Sequence, residues 1–80
     1  MRDTYFHPGE FLRDELHERG MSIAEFARAS NLSPMLVKRI LDCQAGVEPG
    51  TAAAFARALG TSAKTWLKLQ ALYEGRMTDG

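Results

Sequence analysis

The chain has 80 residues, a length that gives one small domain with too little core to enclose a deep active site. Apolar residues make up 45% of it, which is ordinary for a folded globular protein and excludes a disordered composition. Ten Lys and Arg balance ten Asp and Glu, so no overall positive charge marks a nucleic-acid partner. Residues 1–20 hold five acidic groups and three basic ones, and the amino-terminal end is therefore acidic.

The first helix is predicted to open at His7-Pro8-Gly9-Glu10, after an arm at residues 1–6. Pro8 suits the first helical turn, where its missing N–H costs nothing, and Glu10 complements the positive end of the helix dipole. Gly20 is predicted to end the helix in the left-handed conformation. Apolar residues at helical spacing predict its buried stripe, which consists of Phe11, Leu12 and Leu16.

The stretch at residues 22–42 predicts two short helices joined by a tight turn. Ser22 and Glu25 form a capping-box start, and Asn31 marks the end of the first of these helices, because asparagine enters the left-handed conformation at low cost. Ser33 followed by a proline is a second start signal, since the serine caps and the proline suits the first helical position. Two such helices and their corner form a helix-turn-helix unit.

Two further helices are predicted after a loop at residues 43–50, which is rich in glycine and proline. Thr51 is predicted to cap the fourth helix, whose apolar residues follow the i, i+3, i+4, i+7 spacing as far as Gly60. A fifth helix with its cap is predicted at residues 62–74, before a polar tail at 75–80. The chain is therefore predicted to be a single all-α domain of five helices.

The fifth helix carries more apolar surface than a small core needs. At about 100° per residue, its large apolar side chains cover well over half of the circumference, whereas a helix resting on a monomer core needs an arc of about 100°. Exposed apolar patches usually mark interfaces, and a two-fold homodimer is the simplest arrangement that covers one. The alternative is that the domain wraps this helix unusually well. We predict a homodimer interface that contains Trp66, Leu69, Leu72 and Tyr73.

The sequence predicts no catalysis, no cofactor and no metal site. The serines are explained by helix capping, and no glycine-rich phosphate loop follows a strand. His7 and His17 lie ten residues apart with no cysteine near either, which is not the spacing of metal ligands. Cys43 is the single cysteine and excludes an internal disulfide. With no signal-peptide pattern and no membrane-spanning run, the chain is predicted to be cytoplasmic, without a membrane partner.

The chain resembles the HigA-like (VapI-type) antitoxins, which are small members of the lambda-repressor-like helix-turn-helix superfamily. The resemblance covers nearly the whole chain. Its matching stretches are His7-Pro8-Gly9-Glu10-Phe11-Leu12, Met21-Ser22, Phe26-Ala27 and the long run from Thr51 to Glu74. In that run the most telling residues are Trp66-Leu67, Leu69-Gln70 and Tyr73.

The resemblance implies a lambda-repressor-like fold and an antitoxin that neutralises a RelE-like, mRNA-cleaving toxin. It also implies that a homodimer binds double-stranded operator DNA and represses the operon that encodes both proteins. Two alternatives stay open. One is a free-standing transcriptional repressor of the same family, and the other is a protein-interaction module that keeps the fold and has lost DNA binding.

The second helix of the motif is the expected DNA-reading element. Arg39 is the strongest candidate for a base contact, because its planar guanidinium can bond guanine O6 and N7 together. Met35 can pack on a thymine methyl group, and Lys38 can reach a phosphate or a base. The full set of candidate DNA contacts is Ser33, Pro34, Met35, Lys38 and Arg39, with Arg28 at the end of the first motif helix.

Two features of this face depart from the family's pattern. Ile23 stands where family members usually carry a glutamine that touches the DNA backbone, and isoleucine can neither donate nor accept a hydrogen bond. The turn that begins at Asp42 holds one acid and no base, whereas relatives commonly have a basic, glycine-containing turn. Arg28, and Arg2 in the arm, compensate in part. Because phosphate contacts supply much of the affinity for DNA, these departures favour the alternative of weak or lost DNA binding, whereas the resemblance favours DNA contact, which we predict.

Overall fold

A computed structural model describes residues 7–75, which form five α-helices and no strand. The all-α, five-helix prediction is therefore confirmed for this part of the chain. The predicted arm at residues 1–6, with Arg2, and residues 76–80 of the predicted tail lie outside the described residues. The helices are α1 (Pro8–Arg19), α2 (Ile23–Ser30), α3 (Pro34–Leu41), α4 (Pro49–Leu59) and α5 (Ala63–Glu74). None of these five helices has the length and apolar character that crossing a membrane requires.

Four of the five helices begin at a side chain that caps the first turn. The Ser22 hydroxyl accepts from the Glu25 N–H at 3.0 Å while the Glu25 carboxylate accepts from the Ser22 N–H at 2.8 Å, so the predicted capping box is present. The Ser33 hydroxyl accepts from the Leu36 N–H at the start of α3, and the Ser62 hydroxyl accepts from the Lys64 N–H at the start of α5. At α1 the cap is His7, whose Nδ1 accepts from the Gly9 N–H at 2.8 Å. Each cap satisfies one of the N–H groups that a helix start leaves unpaired.

The start of α4 differs from the sequence prediction. Thr51, the predicted cap, lies inside the first turn, because the helix begins at Pro49 with Glu48 in the N-cap position and no side-chain cap bond. Proline is favoured at the first helical position, where its fixed φ suits the helix and its missing N–H would be unpaired anyway. The first backbone bond runs from the Ala52 N–H to the Glu48 carbonyl at 2.8 Å. The predicted loop at residues 43–50 is therefore shorter than expected.

Two non-glycine residues within residues 7–75 adopt the left-handed conformation, and each follows a helix of the motif. Asn31 ends α2 at φ 62°, as the sequence predicts. Cys43 has φ 61° and comes one residue after Asp42, the C-cap of α3. The left-handed region costs a residue with a β-carbon roughly 1–2 kcal/mol. This turn redirects the chain toward Val47, which is buried in the core.

The core is organised around aromatic rings from four helices. The Trp66 ring on α5 lies 5.1 Å from the ring of Phe11 on α1 and 4.9 Å from the ring of Phe55 on α4, and the Phe55 ring lies 5.2 Å from that of Phe26 on α2. The indole N–H of Trp66 donates to the Thr61 hydroxyl at 2.9 Å, so its polar atom is satisfied. Aliphatic side chains fill the space around the rings, including Leu12, Leu16, Val37, Ile40, Val47 and Leu59.

The burial of Trp66 corrects one residue of the predicted dimer interface. Its side chain is 0% exposed and is covered by rings of the same chain, so it cannot form a surface contact. Helical periodicity in α5 does not tell which arc faces the core, because apolar residues occupy most of the circumference. Leu69 and Leu72 are half-buried and Tyr73 is 47% exposed. These three residues remain a predicted interface.

Two arginines of α1 bond to the last carbonyls of other helices. Arg13 Nη2 donates to the Leu41 carbonyl of α3 at 2.9 Å, and Arg19 Nη2 donates to the Leu59 carbonyl of α4 at the same distance. The last carbonyls of a helix have no partner within it, and a cation at this end also complements the helix dipole. These bonds fix the ends of α3 and α4 against α1.

His7 is a buried cap, 4% exposed, whose ring meets the Tyr73 ring edge-on with 4.7 Å between the centroids. Burial lowers the pKa of His7, while the charge of Glu10 and a hydrogen bond with the Ala45 backbone act in the opposite direction. The neutral ring is the form that caps α1, because a protonated Nδ1 cannot accept from the Gly9 N–H.

We expect the free energy of unfolding to decrease as the pH falls from about 7.5 to about 5.5, through the ordinary histidine pKa of about 6.5. The unfolded chain binds the proton more readily than the folded one, so stability rises with pH between the lowered folded-state pKa and the unfolded value. Urea unfolding across this range measures the effect. His7→Asn is the matched variant, because its amide oxygen can still cap and does not titrate. An equal pH dependence in both proteins would contradict the prediction.

Candidate nucleic-acid interface

The turn between α2 and α3 is closed by backbone hydrogen bonds and a small apolar contact. The Leu32 N–H donates to the Ala27 carbonyl at 3.0 Å, and the Asn31 N–H donates to the Arg28 carbonyl at 3.3 Å. Ala27 is 3% exposed, and its small side chain lets the two helices approach closely. Val37 is fully buried on the inner face of α3. The motif therefore presents one fixed outer face of α3 to solvent.

This outer face carries all the predicted reading residues of α3. The exposed side chains follow two lines of i, i+4 neighbours, Pro34 with Lys38 and Met35 with Arg39, and Ser33 precedes them at the tip. Met35 is 73% exposed, so its apolar side chain is accessible to a partner. The Ser33 hydroxyl accepts from the Leu36 N–H at 3.1 Å, so it is already engaged as a cap and retains its own proton to donate.

The cations of this face differ in their pairing. The guanidinium groups of Arg28 and Arg39 form no hydrogen bond or ion pair with any other residue in the range 7–75. Lys38 Nζ lies 2.8 Å from Asp42 Oδ2, one turn further along, and both side chains remain largely in solvent. Exposed pairs of this kind contribute little, about 0–1 kcal/mol. The carboxylate nevertheless offsets the lysine's charge at the place where a phosphate would bind.

Arg28 lies apart from the other cations, at an open groove between α2 and α3. Residues of both helices and the turn line this groove, namely Ala24, Ala27, Arg28, Asn31, Leu32 and Pro34. The structure therefore brings Arg28 beside the amino-terminal end of α3, whereas Lys38 and Arg39 lie in its last turn.

The two departures from the family's pattern have different structural settings. Ile23 begins α2 and is half-buried against the core, so its apolar side chain has a packing role. Asp42 is the C-cap of α3, where a negative charge opposes the helix dipole. Partial burial raises the pKa of the neighbouring Cys43 thiol, with Glu10 and Asp42 acting in the same direction and Arg13 against them. The thiol therefore adds no negative charge to this turn near neutral pH.

One contact near this face was not predicted from the sequence. The Val47 N–H, in the loop that follows α3, donates to Gln70 Oε1 on α5 at 2.8 Å. The two residues are 23 positions apart, so no local pattern signals the bond. No group of three or more His, Cys, Asp or Glu within residues 7–75 is arranged to hold a metal ion.

The comparisons with known proteins agree with this geometry. The model of the helix-turn-helix domain family matches residues 9–65. Virulence-associated protein I of Dichelobacter nodosus is 36% identical over 74 residues, which cover 91% of this chain and 68% of that protein. Antitoxin HigA of Pseudomonas aeruginosa, solved with the higBA promoter, has a TM-score of 0.85 and is 39% identical, over 92% of this chain and 82% of that one.

A second solved structure comes from another organism. An addiction module antidote protein of the HigA family from Coxiella burnetii has a TM-score of 0.85 and 33% identity, over 96% of this chain and 83% of that one. These likenesses extend across all five helices and confirm the resemblance found in the sequence. The chain belongs to the HigA-like, VapI-type family of helix-turn-helix proteins.

Proposed function

We propose that this protein is a DNA-binding antitoxin, which as a homodimer represses its own operon and which neutralises a RelE-like toxin. The observation that carries the proposal is the outer face of α3, where the Arg39 guanidinium, which has no partner within residues 7–75, lies beside the exposed Met35. The same fold, at 39% identity, belongs to a HigA antitoxin that was solved with promoter DNA. No cofactor is needed for this function.

In this proposal α3 enters the major groove and its exposed stripe, from Met35 to Arg39, reads base edges. An eight-residue helix is about 12 Å long, and a B-DNA major groove is about 12 Å wide, so the exposed stripe of α3 fits within it. Arg39 breaks no ion pair with any of residues 7–75 when it binds guanine, and Met35 covers a thymine methyl group. Arg28 reaches a phosphate at the other end of α3. Ser33 and Pro34 approach the duplex at the tip.

The proposed dimer uses the exposed part of α5. Tyr73 is 47% exposed, and Leu69 and Leu72 are half-buried, so a second copy could cover all three. A two-fold axis beside α5 pairs identical surfaces and can separate two recognition helices by about 34 Å, the spacing of successive major grooves.

The toxin is proposed to bind the acidic side of α1. Glu10, Asp14 and Glu18 are all exposed on this helix. RelE-like toxins tend to be basic, and complementary charge favours such a pairing. This surface is distinct from the outer face of α3, so one chain can serve both partners.

A second candidate function is a protein-interaction module without operator recognition. The ion pair of Lys38 with Asp42 and the apolar Ile23 favour it, because both reduce the capacity to bind phosphates. Fluorescence anisotropy on the DNA upstream of the gene, against scrambled DNA at two salt concentrations, separates the candidates. Tight, salt-sensitive binding to the upstream DNA supports the repressor, and no binding at low salt supports the module.

Arg39→Ala is expected to weaken operator binding by about 1–3 kcal/mol and to change random-DNA binding little, because a bidentate base contact is lost. Arg57→Ala is the matched control, since Arg57 is an exposed arginine of α4 outside the motif. Equal losses on operator and random DNA would instead make Arg39 a phosphate contact.

Asp42→Asn is expected to strengthen binding to both DNAs by roughly two- to fivefold, because it frees Lys38 from an exposed pair. One more phosphate contact should also steepen the dependence of log affinity on log salt by about 0.9. Glu18→Gln removes the same charge near the carboxyl end of α1 and should have a smaller effect. An equal gain in both variants would attribute the change to net charge alone.

Leu72→Glu is expected to shift the sedimentation mass from two chains to one, because a charge in the apolar dimer interface is costly to bury. Leu72 is half-buried, so the fold should survive, and circular dichroism checks this. Lys64→Glu, on an exposed position in the first turn of α5, should leave the mass unchanged. A folded Leu72→Glu protein of unchanged mass would exclude this interface.

A further inference from the structure

The end of α3 and the loop that follows it are held by side chains from α1 and α5. Arg13 of α1 bonds to the Leu41 carbonyl, the last of α3. A β-carbon on Gly9 would lie 1.8 Å from the Ile40 carbonyl oxygen, so the backbone of α1 packs directly on the last turn of α3. The loop beyond this turn, at residues 45–47, has its own attachment to α5.

Gln70 is the α5 residue that holds this loop. Its side chain is buried, 7% exposed, and its Oε1 accepts from the Val47 N–H at 2.8 Å. Its Nε2 donates to Glu74 Oε2 at 2.6 Å, which orients the amide. A β-carbon on Gly46 would lie 2.8–3.0 Å from three atoms of this amide, so the loop backbone and the Gln70 side chain are in close contact.

His7 contacts the same loop and the same end of α5. It makes a hydrogen bond with the Ala45 backbone, and its ring lies against Tyr73. The opening and closing stretches that carry the family resemblance therefore meet here, and both bind the segment that leaves the recognition helix.

We infer that Gln70 is a positioning residue for DNA recognition, which fixes the loop after α3 and so the orientation of α3 on the domain. This inference rests on the proposed DNA binding. Without the amide, the buried Val47 N–H loses its partner and the loop loses its hydrogen bond to α5. Base contacts require one position of α3 relative to the base edges, whereas phosphate contacts tolerate a small displacement of the helix. The ratio of operator to random-DNA affinity therefore depends on Gln70.

The test compares operator and random-DNA affinity by anisotropy at a low temperature where circular dichroism shows every variant folded. Gln70→Met removes the amide without adding charge and is expected to lower the affinity ratio about tenfold, within the range of one base contact. Gly46→Ala pushes the Gln70 amide away from the loop without altering α5, and should lower the ratio in the same direction. Gly46 has no positive φ, so the alanine adds no left-handed strain.

A charge-conserving exchange provides the rescue. In the double variant Gln70→Glu with Glu74→Gln, an oxygen at position 70 can still accept from the Val47 N–H, and the amide at position 74 can donate back to it. Its affinity ratio should stay near that of the wild type. Leu59→Ala is the control for stability alone, because Leu59 is buried at the far end of α4 from this loop.

The outcomes separate the two proposals. The positioning role would be overturned if the folded Gln70→Met protein kept the wild-type ratio of operator to random-DNA affinity. It would also be overturned if Leu59→Ala lowered this ratio as much as Gln70→Met does. If the wild-type protein binds the operator while either of these results is found, only the positioning role is contradicted and the DNA-binding proposal stands. A wild type that binds neither DNA at low salt ends both proposals.

Discussion

The packing of Trp66 against Phe11 and Phe55 is the contact on which the rest of the structure depends. It joins α5 to α1 and α4, and Phe55 continues the cluster to Phe26 on α2. Aromatic pairs at these distances contribute about 0.5–1.5 kcal/mol each beyond their burial. The recognition helix α3 has no aromatic residue. Its position therefore depends on the buried face that includes Val37 and on the polar bonds at its end.

The polar bonds at the end of α3 link both ends of the chain to the helix-turn-helix. Arg13 of α1 and Gln70 of α5 lie outside the motif in sequence, yet they contact the last turn of α3 and the loop after it. The helix-turn-helix is thus packed against elements outside it. Gly9, Gln70 and Tyr73 of these elements belong to the stretches that carry the family resemblance.

The sequence predicted the features that depend on neighbouring residues. The capping box of Ser22, the cap at Ser33 and the left-handed Asn31 are local, so the motif's helix bounds could be predicted closely. Thr51 was misjudged because two start signals, a proline and a threonine, compete within three residues. The burial of Trp66 and the role of Gln70 could not be predicted, since each depends on which arc of α5 meets distant elements. For the DNA face, periodicity identified the exposed stripe but not the pairing of Lys38 with Asp42.

The turn at Cys43 has a practical consequence. Cys43 is the single cysteine of the chain, it is exposed, and it follows α3 directly. A fluorophore or spin label can therefore be attached beside the recognition helix without replacing any other residue. The raised thiol pKa means that labelling proceeds faster in mildly alkaline buffer, because the thiolate is the reactive form. The natural sequence thus carries its own reporter position for motions of α3.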